Sequence, residues 1–118
     1  MILSIATLQV GNDITVIELS GRVTLGRESG QIEAYVLKSL SEGDKKLIID
    51  MTNVSFIDST GIGVIAYSFG KISQSGAQAR IVGAHGIVKD VFKLTHLDQV
   101  LKFADTVDDA VASMKSPS

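Results

Sequence analysis

Apolar residues fall along this chain in two alternating rhythms. Ile2 to Val10 is rich in β-branched and aliphatic residues, and Gly11-Asn12-Asp13 interrupts the run. Ile14 to Leu19 resumes it, bounded by Ser20-Gly21. Two short apolar runs around a turn-forming triplet predict a β-hairpin. Gly21 is expected to supply a backbone bend as the chain leaves the sheet. From Arg27 to Leu40 the period lengthens. Ile32, Tyr35, Val36, Leu37 and Leu40 lie close to an i, i+3, i+4, i+8 spacing, which predicts a helix with one buried stripe. Lys38 stands in its last turns and Gly43 ends it.

Leu47-Ile48-Ile49 is too brief for a helix and reads as a central strand buried on both faces. Val54-Ser55-Phe56-Ile57 is a second apolar patch just before the next helix. That helix runs from Ser59 to Ser75, with Ile62, Ile65, Ala66, Phe69 and Ile72 forming its stripe and Gly76 stopping it. Ala79 to Gly83 predicts a strand. Ile87 to Leu94 predicts a short helix with Val88, Val91 and Phe92 inward. Val100 to Phe103 predicts a last strand. Thr106 is placed to cap a final helix through Met114, with Asp108 and Asp109 in its first turn. The order β-β-α-β-α-β-α-β-α implies an α/β fold: one mixed β-sheet flanked by α-helices. The expected domain covers residues 1–114, and Lys115-Ser116-Pro117-Ser118 is expected to be a disordered tail.

Composition narrows what such a domain can do. At 118 residues the chain makes one ordinary domain with a real core. Lys and Arg total 11 against 13 for Asp and Glu, a net charge of −2, so no electrostatic footprint for nucleic acid is expected. There is no polybasic run to hold the chain on an anionic membrane. The uncharged stretch Ser59 to Gly70 is far short of the ~20 residues that span a bilayer, so no membrane insertion is expected. Met1-Ile2-Leu3-Ser4-Ile5 lacks a basic start, and no targeting segment is expected. Cysteine is absent, which excludes thiolate metal sites and thiol catalysis. A cytoplasmic, bacterial module is the expectation.

Candidate chemistry is sparse. Gly61-Ile62-Gly63-Val64-Ile65-Ala66 matches G-x-G-x-x-[GA], but the following strand ends in Val82-Gly83-Ala84-His85 without the acid a dinucleotide site needs. Gly70-Lys71 lacks the first Gly and the Ser or Thr of a P-loop. Asp58-Ser59-Thr60-Gly61 holds one Gly of the nucleophile elbow, with Ile57 where the other belongs. Spacing alone leaves a Ser59–His85–Asp arrangement open, because triads are spatial. A hydrolase of this size would have little room for a substrate pocket. His85 and His96 have no third partner at ligand spacing, so no metal and no cofactor are expected. What remains at Asp58 to Gly61 is a helix start. Ser59 or Thr60 is either a plain N-cap or, with the helix dipole and free N–H groups, a seat for a phosphate.

The block Leu47-Ile48-Ile49-Asp50-Met51-Thr52-Asn53-Val54-Ser55-Phe56-Ile57-Asp58-Ser59-Thr60-Gly61-Ile62-Gly63 resembles the signature of the STAS domain, specifically the anti-sigma factor antagonists. The order of elements is similar over nearly the whole chain. The resemblance implies a protein that is not an enzyme. In the family, the serine directly after Asp, here Ser59, is phosphorylated by the partner anti-sigma factor, a serine kinase. The unphosphorylated antagonist binds that kinase and frees a sigma factor, and a metal-dependent serine phosphatase removes the mark. The resemblance implies that Asp58, Thr60, Gly61 and Gly63 serve partner binding around Ser59. Gly21-Arg22-Val23 is similar to the family's stretch before its first helix, but Thr24-Leu25-Gly26 stands where an acidic residue is usual. The rival expectation is a STAS-like structural or scaffold subunit, in a transporter accessory or sensor complex, without a phospho-switch.

Overall fold

The structure, a computed structural model, describes residues 3–114. The expected tail at 115–118 and the expected strand start at Ile2 lie outside the described residues. Five strands and four helices follow one another. They are β1 (Ser4–Val10), β2 (Ile14–Val23), α1 (Arg27–Ser41), β3 (Lys46–Ile57), α2 (Ser59–Gln74), β4 (Gln78–Val82), α3 (Gly86–Leu94), β5 (Phe103–Ala104) and α4 (Val107–Ser113). The expected α/β fold with a mixed sheet is what the chain adopts.

The strands lie side by side in sequence order. β1 and β2 form the antiparallel hairpin, and β2, β3, β4 and β5 run parallel. Parallel neighbours joined by crossovers of one hand carry their connecting helices on one face of the sheet. Accordingly α1, α2 and α3 bury Ile32 and Val36, Ile62, Ile65, Phe69 and Ile72, and Val88 and Phe92 in one core with Ile17, Leu19, Leu47, Ile49 and Ile81. Alternate strand residues point the other way. There Ile14, Val16, Ile48 and Val82 are covered by Ala110 and Met114 at the end of the chain. β3 is buried on both faces across Leu47-Ile48-Ile49, as its unbroken apolar run requires.

Five expectations need correction. The apolar runs at Leu47–Ile49 and Val54–Ile57 are one twelve-residue strand, because Asp50-Met51-Thr52-Asn53, polar except for the buried Met51, continues the extended backbone beside β2. Gly21 does not lie where the chain leaves the sheet. It sits inside β2 with φ +105, beside a register shift against β3, and pairing continues to Val23. Such bulges bend and twist a strand. The last strand is Phe103–Ala104, because Leu97–Gln99 form a 3₁₀ turn and Val100 is 70% exposed. On α2, Ala66 is only half-buried, and Ser68 completes the inward face in its place. Tyr35 and Leu37 likewise lie on the exposed side of α1.

Candidate functional site

The parallel strands all end on one rim, the position where open α/β sheets place their sites. β2 leads there into the loop at Thr24-Leu25-Gly26, and β3 leads through Asp58 into α2. Asp58 is extended and is the N-cap of α2. One carboxylate oxygen accepts the Gly61 N–H at 2.8 Å, and the other accepts the Leu25 N–H at 2.9 Å. The Asp58 backbone N–H donates to the Val23 carbonyl at 3.2 Å. One side chain therefore caps the helix and ties it to the neighbouring loop. The bond from Gly61, then that from Leu25, holds the Asp58 carboxyl below its ordinary value of 3.8, against a smaller upward push from desolvation.

This corrects the expected position of Ser59. Neither Ser59 nor Thr60 is the cap. Ser59 is the first residue of the helix and is exposed, with Thr60 half-buried beside it. Asp, Ser and Thr are all competent caps, so the sequence could not rank them.

The two glycines differ. Gly61 is buried, and a Cβ built there would run into the Val23 carbonyl and lie 2.8 Å from Ile57 Cγ1. Its missing side chain lets α2 sit against the end of β2. Gly63 is exposed with open space around it, so it leaves the surface beside Ser59 flat.

Leu25 is a site residue that the sequence reading did not single out. It is 78% exposed while its backbone is held by Asp58. The signal was a large apolar residue between Thr24 and Gly26 in a loop facing the motif. Near the same rim Arg22 stacks over Phe56, its guanidinium 4.4 Å from the ring centre, across paired positions of β2 and β3. His85 precedes α3, and its Nε2 lies 2.9 Å from the Thr52 carbonyl. A carbonyl only accepts, so that nitrogen carries the proton.

Two cavities stand out among the described residues, and both lie away from Asp58–Gly63. A cavity of about 330 Å³ lies between α3 and the end of β5, and another of about 390 Å³ lies between β1 and α1. Neither includes any residue from 58 to 63. Among the described residues no three His, Asp or Glu side chains gather to hold a metal ion. Among them, too, no helix is long and apolar enough to cross a membrane.

Residues 6–110 match the STAS domain family. A Thermotoga maritima protein assigned as an anti-sigma factor antagonist is 33% identical over 76 residues, covering 64% of this chain and 67% of its own length. The crystal structure of a T. maritima protein with the same assignment superposes with a TM-score of 0.83 at 24% identity, covering 95% of each chain. The Bacillus cell fate determinant SpoIIAA in its phosphorylated form superposes at 0.72 with 19% identity, over 95% of this chain and all of that one. With that match over most of its length, and with the Asp58-capped helix start on its rim, the chain belongs to the STAS domain family and stands beside its anti-sigma factor antagonists.

Proposed function

We propose that this domain is a phosphorylation-switched anti-sigma factor antagonist with Ser59 as its switch. Unphosphorylated, it binds an anti-sigma factor that is also a serine kinase, and so releases a sigma factor in the cytoplasm. The kinase phosphorylates Ser59 and ends the complex, and a serine phosphatase restores it. One observation carries this reading: Asp58 takes the capping role, which leaves the Ser59 hydroxyl exposed at a rigid helix start. Leu25 and Gly63 extend the contact surface on either side, and Thr60 borders it.

The physics of the switch is local. A phosphate on Ser59 gains about 0.3–1 kcal/mol from the helix dipole, which offsets part of its repulsion from Asp58, so the domain stays folded. At an interface the same group meets desolvation. An unpaired buried charge there costs about 2–5 kcal/mol, roughly thirtyfold to several thousandfold in affinity. The domain is a substrate in this scheme and not a hydrolase.

The test uses the cognate kinase and ATP, with intact mass and site mapping. The mark should land on Ser59. Ser59→Ala should bind the kinase and resist inactivation, and Ser59→Asp should bind poorly while melting near wild type. Phosphate on Thr60 or nowhere, or tight binding by Ser59→Asp, sinks the proposal.

A further inference from the structure

The two edges of the sheet are guarded differently. β5 is two residues long, and the chain turns almost at once into α4. β1 presents seven residues, bonded to β2 along one side only. An edge strand leaves a row of backbone N–H and C=O groups open to another strand. Folded proteins blunt such edges with lysine, proline, inward charges or bulges. β1 has none of these. Ser4-Ile5-Ala6-Thr7-Leu8-Gln9-Val10 carries no charge and no proline, and its register with β2 is unbroken from Ser4 opposite Ser20 to Val10 opposite Ile14.

We propose that β1 is a homodimer interface, in which two copies pair β1 with β1 antiparallel about Thr7 and join their sheets into one. The occupant follows from the chemistry of the strand. An acidic or basic peptide would find no complementary charge along β1, whereas a second β1 is itself an uncharged edge of matching length. With Thr7 at the dyad, Ile5 faces Gln9, Ala6 faces Leu8 and Ser4 faces Val10 of the other copy, so no like charges meet.

The two faces suit the pairing. Ile5 packs into the core beneath α1–α3, and by alternation Thr7 and Gln9 share its side. Thr7 and Gln9 border a hollow with Tyr35, Lys38, Glu42 and Asp44, where Lys38 and Glu42 lie 3.8 Å apart and the Asp44 carboxylate accepts the Thr15 and Ser39 hydroxyls. On the opposite side Leu8 is 41% exposed, and pairing sets it against the small Ala6 of the other copy. Ser59, at the carboxyl end of β3, takes no part in the pairing. A dimer would carry two switch sites and engage a two-headed partner with a raised effective concentration.

The experiment is sedimentation velocity on the full chain across a micromolar concentration series, with hydrogen exchange. Wild type should show a reversible dimer, with amides of Ser4–Val10 slowed as concentration rises. Thr7→Lys and Thr7→Glu each set like charges across the dyad and should weaken the dimer about tenfold or more. Mixing the two should restore it as a heterodimer. Circular dichroism checks that both variants fold, which the exposure of Thr7 leads one to expect. A wild type that stays monomeric throughout overturns the proposal. So does a dimer that both variants leave intact, or protection of β1 that appears only when a different protein is added.

Discussion

Two helices start on the same rim and are built differently. α2 begins at Asp58, whose carboxylate accepts backbone N–H groups from its own helix and from the loop after β2. α3 begins at His85, which is also extended but forms no side-chain cap. Its ring turns back to the Thr52 carbonyl in β3. At α2 the polar side chain serves the helix start, and at α3 it serves the sheet. A capped start tied to two strands is a stiff platform, able to present a hydroxyl in one orientation. An uncapped start leaves its first N–H groups to water. The two junctions differ less in backbone, which is extended at both caps, than in the bonds their side chains make.

The largest expected effect strikes the packing under the platform. Gly61→Ala forces a methyl group into the Val23 carbonyl and should cost about 1–3 kcal/mol, the range for overpacking at a site closed in by backbone. Gly63→Ala, in open space on the same helix, should be neutral or gain about 0.5–1 kcal/mol. Denaturant unfolding of the two variants side by side measures the contrast, and equal effects would erase it.

Next is the cap. Asp58→Ala should cost about 0.5–2 kcal/mol and should speed hydrogen exchange at both Gly61 and Leu25. His85→Ala removes one bond to a backbone carbonyl and should cost about 0.5–1.5 kcal/mol, with the helix start of α3 unchanged in exchange. If His85→Ala loosened α3 as Asp58→Ala loosens α2, the two junctions would not differ in kind.

The smallest effect is in acid. Because the folded Asp58 carboxyl titrates below 3.8, its stabilising contribution is complete above that pH and is lost as pH falls through the lowered folded value. Asp58→Asn has no such group. The difference in melting temperature between wild type and Asp58→Asn should therefore be constant near neutrality and narrow below pH 3.8.

Much of this was legible in the chain. The period of the apolar residues gave the helix faces at Ile32 and Val36 and at Ile62, Ile65, Phe69 and Ile72, since burial on one side leaves that imprint. The Asp58–Gly61 block located the candidate site. What escaped had physical reasons. Asp50, Thr52 and Asn53 disguised the middle of β3, where Asp50 Oδ1 accepts bonds from the N–H and hydroxyl of Thr52 while the strand runs on. Val100 carries strand propensity but lies in the tight turn closed by its N–H to the Leu97 carbonyl. Asp58, Ser59 and Thr60 are all competent caps, so the local pattern did not rank them, and the second bond of Asp58, from the Leu25 N–H, arrives from a loop distant in sequence.

The far face of the sheet has a consequence for how the molecule opens. There one seven-residue helix, α4, covers Ile14, Val16, Ile48 and Val82 through Ala110 and Met114, with Arg80 Nε donating to Ser113 Oγ at 2.9 Å. A cover this small can detach without melting the core beneath α1–α3, so α4 should behave as its own foldon. Its amides should exchange through a sub-global opening with weaker denaturant dependence than those of β3. In the opened form the bared valines and isoleucines would make a transient sticky patch, a route to degradation or aggregation that the stability of the main core does not control.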